Sequence, residues 1–234
     1  LKTTDDLKGK AVAVTQGPNT AQFDAKLNTE KGLGMKILQG KDHAESFLLV
    51  ETDDGQTITG LKSALDCLYV FKMESIWRIC GTDRDNLYLE QMVRGIGAAG
   101  NQSITLINNK FLFVTSQGNI ALYDGGISVQ LISGKIQGTL DGLNPNRFPK
   151  IAATAFDDGT GDEDYYLCVS QAGSGTHNRM LVFDTFHQAW TKFAGITCNA
   201  LTVYELNTSQ RALAFGDYAG RTHRYPDGNT DAGT

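Results

Sequence analysis

No stretch of this sequence is long and apolar enough to cross a bilayer. The longest apolar runs, such as Phe47-Leu48-Leu49-Val50, end after a few residues, which excludes an inserted helix. Basic residues are too few for a general grip on nucleic acid: 21 Lys and Arg stand against 26 Asp and Glu, a formal charge of −5. The four cysteines, Cys67, Cys80, Cys168 and Cys198, include no CxxC pair, which argues against a zinc or dithiol redox site. All four lie in apolar, strand-like surroundings. That context predicts buried thiols, with a Cys67–Cys80 bridge across a hairpin as the other reading. The opening residues Leu1-Lys2-Thr3-Thr4-Asp5-Asp6 lack a secretory leader pattern, so the expectation is a leader already removed or a start inside a longer gene. Helical periodicity is missing from everything after residue 53.

What is present is enough apolar material for a core, 41% of residues, arranged in two grammars. Residues 1–52 read as α/β. Ala11-Val12-Ala13-Val14-Thr15 suits a buried strand, and Gln16-Gly17-Pro18-Asn19-Thr20 breaks it and offers a helix cap. Residues 20–31 then place Phe23 and Leu27 on one face, which predicts a helix ended by Gly32 and Gly34. Met35-Lys36-Ile37-Leu38 follows as a second strand, and Asp42-His43 opens a further helix. Residues 55–234 instead read as short strands separated by turns. Each period needs its own kind of packing partner, so the chain divides into an α/β piece over 1–52 and a β-hairpin module over 55–234.

Asp6-Leu7-Lys8-Gly9-Lys10-Ala11-Val12-Ala13-Val14-Thr15, Lys26-Leu27 and Lys41-Asp42-His43-Ala44-Glu45-Ser46-Phe47 resemble periplasmic amino-acid-binding proteins of ABC transporters, the glutamate/aspartate branch in particular. The match covers the start of that family's second lobe. It implies a ligand carboxylate at the helix N-terminus after the first strand, met by Thr15, Gln16, Gly17, Asn19 and Thr20, with His43 approaching the ligand. The family has small hydroxyl residues where this chain carries Gln16, Pro18 and Asn19, and Pro18 removes an amide donor. The clamping arginine of the first lobe has no counterpart here.

The β module repeats one pattern: an apolar strand, a tight polar turn, then a second strand closed by an aromatic residue and often Asp. It recurs at Cys67–Ile79, Lys110–Gly125, Tyr165–Asp184 and Arg211–Tyr225, with turns at Gln117-Gly118-Asn119 and Tyr218-Ala219-Gly220. Spacings of roughly 40–55 residues predict a mainly β fold of propeller-like antiparallel hairpin repeats, incomplete as a ring, beside the small α/β fragment. A sandwich is the other arrangement. Val70-Phe71-Lys72-Met73-Glu74-Ser75-Ile76-Trp77, Leu122-Tyr123-Asp124-Gly125-Gly126, Asn178-Arg179-Met180-Leu181-Val182-Phe183-Asp184 and Ala189-Trp190-Thr191-Lys192-Phe193 resemble tailed-bacteriophage virion proteins with propeller-like β domains. That resemblance implies a structural part of a virion, without catalytic residues.

The remaining chemistry is sparse. Asp157-Asp158-Gly159-Thr160-Gly161-Asp162-Glu163-Asp164 is an acidic loop whose Asp157, Asp158, Asp162 and Asp164 could hold Ca²⁺, although the spacing is not that of an EF-hand; a solvated hairpin loop is the plainer reading. Ser174, His177 and Asp184 suggest a hydrolytic triad without a nucleophile elbow. Gly95-Ile96-Gly97-Ala98-Ala99-Gly100 imitates a dinucleotide fingerprint outside any βαβ context and reads as a loop. Trp77, Trp190 and Tyr225 are either a sugar-stacking surface or filling between sheets. The expectation is a non-enzymatic structural protein, a phage tail or head–tail component contacting other virion proteins, located in the virion and without cofactor. The alternatives are periplasmic binding of an acidic amino acid for transport, and a propeller enzyme or lectin.

Overall fold

The computed structural model describes residues 26–28, 34–36, 50–51, 54–82, 86–157, 161–207 and 210–225. By its internal contacts the chain divides into two compact units, Leu1–Gly97 and Ala98–Thr234.

In the first unit, β1 (Lys26–Asn28) and β2 (Gly34–Lys36) form an antiparallel hairpin with Leu27 opposite Met35. The helix predicted over 20–31 is therefore not formed at Lys26–Asn28. A twelve-residue amphipathic segment is marginal as a helix without a partner for its apolar face, and Gly32 and Gly34 weaken it further. A four-stranded antiparallel meander follows: β3 (Ile58–Ala64), β4 (Cys67–Lys72), β5 (Ser75–Cys80) and β6 (Tyr88–Arg94), hydrogen-bonded in that order. Leu65 and Asp66, both at positive φ, make the two-residue turn between β3 and β4 that suits a twisted hairpin. Val50, Val70, Trp77 and Leu89 form the core of this sheet. Cys67 and Cys80 face each other across β4 and β5, with Cα atoms 4.5 Å apart, and are joined as a disulfide.

The second unit holds three further meanders. The first is β7 (Thr105–Ile107), β8 (Lys110–Val114), β9 (Ile120–Tyr123) and β10 (Gln130–Leu131). A single helical turn, α1 (Gln137–Leu140), and a 3-10 segment (Pro145–Lys150) lead to the second: β11 (Ala152–Phe156), β12 (Asp164–Val169), β13 (Arg179–Asp184) and β14 (Ala189–Ala194). The third is β15 (Ala200–Asn207), β16 (Gln210–Gly216) and β17 (Thr222–Tyr225). The first strand of the middle sheet, β11, lies alongside β7 on one side and β15 on the other, while no described pairing joins one sheet to the next. The chain is thus mainly β, with propeller-like antiparallel sheets that do not close.

Alternation explains the continuous apolar run of β12. Tyr165, Leu167 and Val169 enter one core with Leu112, Val114, Ile151 and Leu181. Tyr166 and Cys168 point to the opposite face, against Met180, Val182, Cys198 and Leu213. A strand covered on both faces has no polar side to show. Tyr165 places its hydroxyl 2.6 Å from the Ser103 carbonyl, so the one polar atom it buries is satisfied. Cys168 is bonded to Cys198, with Cα atoms 5.9 Å apart. The predicted buried thiols are therefore corrected to two disulfides, and no cysteine is free.

Candidate functional site

In an up-and-down meander, second-to-third connections and sheet-to-sheet crossings fall at one end, and the remaining turns at the other. The second unit carries a distinct feature at each end.

At the end of the β7–β8 and β13–β14 turns lies a cavity of 290 Å³. Its lining is mixed, with Ile107, Leu122, Ile132 and Phe183 beside Asn108, Gln130, Thr185 and Gln188. Lys110 and Asp162, of opposite charge, also line it. Phe186 lines it from the β13–β14 turn and is 70% exposed; Ile127, on the β9–β10 connection, is 84% exposed. Leu106 and Leu131, each next to a lining residue, are exposed as well. Phe186 is the exposed apolar side chain that reaches the cavity, whereas Ile127, Leu106 and Leu131 are exposed elsewhere on the same sheet or its turns. Trp190 donates to the Ile132 carbonyl at 3.2 Å and packs on Phe183 with ring centroids 4.8 Å apart, so it supports the cavity wall and is not a free stacking platform.

At the opposite end, the β12–β13 connection, the segment leading into β15, the 3-10 segment and the β16–β17 turn converge. Ala172 N–H donates to the Gly142 carbonyl at 2.8 Å, and Asn144 N–H to the Ser170 carbonyl at 2.9 Å. His177 is wholly buried there. Its ring Nδ1 is 3.0 Å from the Cys198 carbonyl, and its backbone N–H donates to the Tyr218 hydroxyl at 3.1 Å. Arg147 donates to the same hydroxyl at 3.0 Å. Three buried polar atoms here have no partner among the described residues: Arg147 Nε, Ser170 Oγ and His177 Nε2.

The sequence-predicted residues fare differently. Thr15, Gln16, Gly17, Asn19, Thr20 and His43 lie outside the described residues, as does Asp158. The acidic loop spreads its other carboxylates. Asp157 accepts from Gly161 N–H at 3.0 Å, Asp164 accepts from Thr185 N–H at 3.2 Å, and Asp162 lines the cavity. No metal-holding group of three or more acidic, His or Cys side chains occurs among the described residues. Asp184 is not brought to Ser174 and His177: it closes β13 at the end away from their connection and pairs with His187 at 2.8 Å, while Ser174 Oγ donates to the Thr176 carbonyl at 2.7 Å. The cavity and the cluster around Arg147 were missed by sequence reasoning. Phe186 and Ile127 were the available signal, because a large apolar residue in a polar turn has no core to fill.

No family model matches the chain. Over 52 residues it is 42% identical to the L-glutamate/L-aspartate-binding protein of Pseudomonas aeruginosa and 46% identical to the glutamate/aspartate import solute-binding protein of Salmonella typhimurium. Those matches cover 22% of this chain, and the chain spans 17% of the length of these relatives. They agree with the solute-binding resemblance for a short piece. Among solved structures, YCF48 from Cyanidioschyzon merolae is similar at 15% identity with a TM-score of 0.42, over 89% of this chain and 70% of that one. The Dos1 propeller is similar at 9% identity with a TM-score of 0.42, over 91% and 59%. None of these matches is a phage virion protein.

Proposed function

We propose that the chain is a non-enzymatic assembly component, a disulfide-stapled β-sheet scaffold that acts through protein–protein contact at the cavity end of its second unit. The observation carrying this reading is the exposure of two large apolar side chains on turns at this end, Phe186 at the cavity and Ile127 on the β9–β10 connection. The partner it fits is a protein surface with an apolar knob between groups able to meet Lys110 and Asp162. A binding rather than a chemical role is supported by the separation of Asp184, at the far end of β13, from Ser174 and His177.

Two disulfides support a location outside the reducing cytosol, since such bonds form and persist in oxidising compartments. Among the described residues no helix is long and apolar enough to cross a membrane, which says nothing of strands. The finer assignment, a phage tail or head–tail component contacting other virion proteins, is supported by the hairpin resemblance, and the disulfides weigh against its assembly in a cytosol. A second reading, periplasmic binding of an acidic amino acid, is favoured by the 52-residue match to glutamate/aspartate binders. It would use Thr15, Gln16, Gly17, Asn19, Thr20 and His43.

The contact reading is tested with the full chain carrying Ile127→Ser and Phe186→Ser. Exposed positions change stability by no more than about 0.5 kcal/mol each. The double variant should therefore unfold near the wild-type midpoint while losing most binding of an environment-sensitive apolar dye. Undiminished dye binding would place the apolar surface elsewhere and overturn the assignment of this face.

A further inference from the structure

We propose that His177 is a proton-operated tie at the end of the second unit away from the cavity. Neutral, it holds the β12–β13 connection against the segment leading into β15; protonated, it lets that end open.

A carbonyl oxygen can only accept, so the 3.0 Å contact with Cys198 O places the hydrogen on Nδ1 and leaves the lone pair on Nε2. Nε2 is buried and has no hydrogen-bond partner among the described residues. A proton added there creates a buried cation whose new donor has nothing to meet, an arrangement that costs far more than a surface charge.

The groups packed around the ring offer no relief. Arg147, from the 3-10 segment, is a fixed cation nearby, already engaged with the Tyr218 hydroxyl. Tyr218, from the β16–β17 turn, packs edge-on to the imidazole with centroids 6.2 Å apart and accepts the His177 N–H. Cys198 and Cys168 are bonded to each other and do not titrate. On the histidine's own connection the near polar groups are the hydroxyls of Ser174 and Thr176, which bond within that connection. The carboxylate beside Tyr218, Asp217, is taken up by Ala219 N–H, Arg221 N–H and His223 Nε2. Burial first, and Arg147 with it, hold the imidazole below its usual range, against the opposing hydrogen bond to Cys198.

The sign follows. In the opened state the ring takes a proton near its ordinary value of 6.5, whereas in the closed state it resists one. Closure is fully favoured above 6.5 and is lost as pH falls below it. The Cys168–Cys198 bond keeps the released segment tethered, which makes the opening local and reversible. The Asp217 carboxyl, held down to about 2 by His223 and by the backbone N–H of Arg221, titrates well below this window.

The reporter is the Cys198 amide, which donates back to the His177 carbonyl at 3.3 Å. Native-state hydrogen exchange of the full, oxidised chain is compared at about pH 7.5 and about pH 5.5, with intrinsic exchange corrected. Wild type should lose protection at this amide, by up to about tenfold, the limit set by one pH unit below the ordinary histidine value. His177→Gln, whose amide can still donate to Cys198 O but takes no proton, should lose none. No loss in wild type, or an equal loss in both, overturns the proposal. Should His177→Gln fail to fold, the wild-type imidazole followed by NMR decides. Half-protonation in the native chain below the ordinary histidine value of 6.5 supports the tie, and half-protonation at or above 6.5 overturns it.

Discussion

Lys72 is an ammonium in a position built for a hydrophobe, 1% exposed in the last place of β4. Its Nζ donates to the Glu51 carbonyl at 2.5 Å and to Asp54 Oδ2 at 2.6 Å. Burial works to raise the Asp54 carboxyl, but Lys72 and the Gln56 amide outweigh it and hold the group below its usual value. Breaking one partner of a buried pair costs more than replacing the buried ion with a hydrophobe of similar volume. Asp54→Ala is therefore expected to destabilise by about 3 kcal/mol, and Lys72→Met to be close to neutral. Denaturant unfolding of both variants checks this; a larger loss in Lys72→Met would contradict it. Residue-scale chemistry of this kind was the least legible from sequence. Lys72 sits inside an apolar hairpin word, and its partner lies eighteen positions upstream, so no local pattern announces the pair. His177 was legible only as a suspect for hydrolysis, because its burial and its contacts with Arg147 and Tyr218 are made by loops distant in sequence.

Elements in the β module were legible as hairpins. Period-2 apolar runs and turn residues gave β4 with β5, β8 with β9, β12 with β13, and β16 with β17. The turn at Gln117-Gly118-Asn119 forms with Gly118 at φ +84°, and that at Tyr218-Ala219-Gly220 with Gly220 at φ +81°. The helix read over 20–31 fails at Lys26–Asn28, which is a strand, because amphipathic spacing fixes a helix only when a partner covers its face. Gly97, within the apparent dinucleotide fingerprint, is explained by close approach: a Cβ there would strike the backbone of Lys72, Glu74 and Ser75. The cysteines were ambiguous for a different reason. Cys67 and Cys80 are readable as a hairpin pair, but Cys168 and Cys198 meet only because β12 packs against the segment leading into β15. Closing loops of these lengths is worth about 3 kcal/mol each in the chain-entropy account. Native protein should show no reactive thiol, and reductant should lower the unfolding midpoint. Four titratable thiols in the unreduced, denatured chain would restore the buried-thiol reading.

At the scale of the whole molecule, two parts of the chain are candidates for the working site. The β module has its own cores, two disulfides and an exposed apolar face, whereas the solute-binding likeness spans 17% of its relatives' length. A trap that closes on a ligand needs both lobes and the charges that clamp it. The most direct test is thermal unfolding of the full chain with increasing millimolar L-glutamate or L-aspartate. A ligand that binds only the folded state must raise the midpoint by mass action. The contact-scaffold account predicts an unchanged midpoint with either amino acid. A midpoint that climbs with ligand concentration would contradict it and make the N-terminal piece the working site.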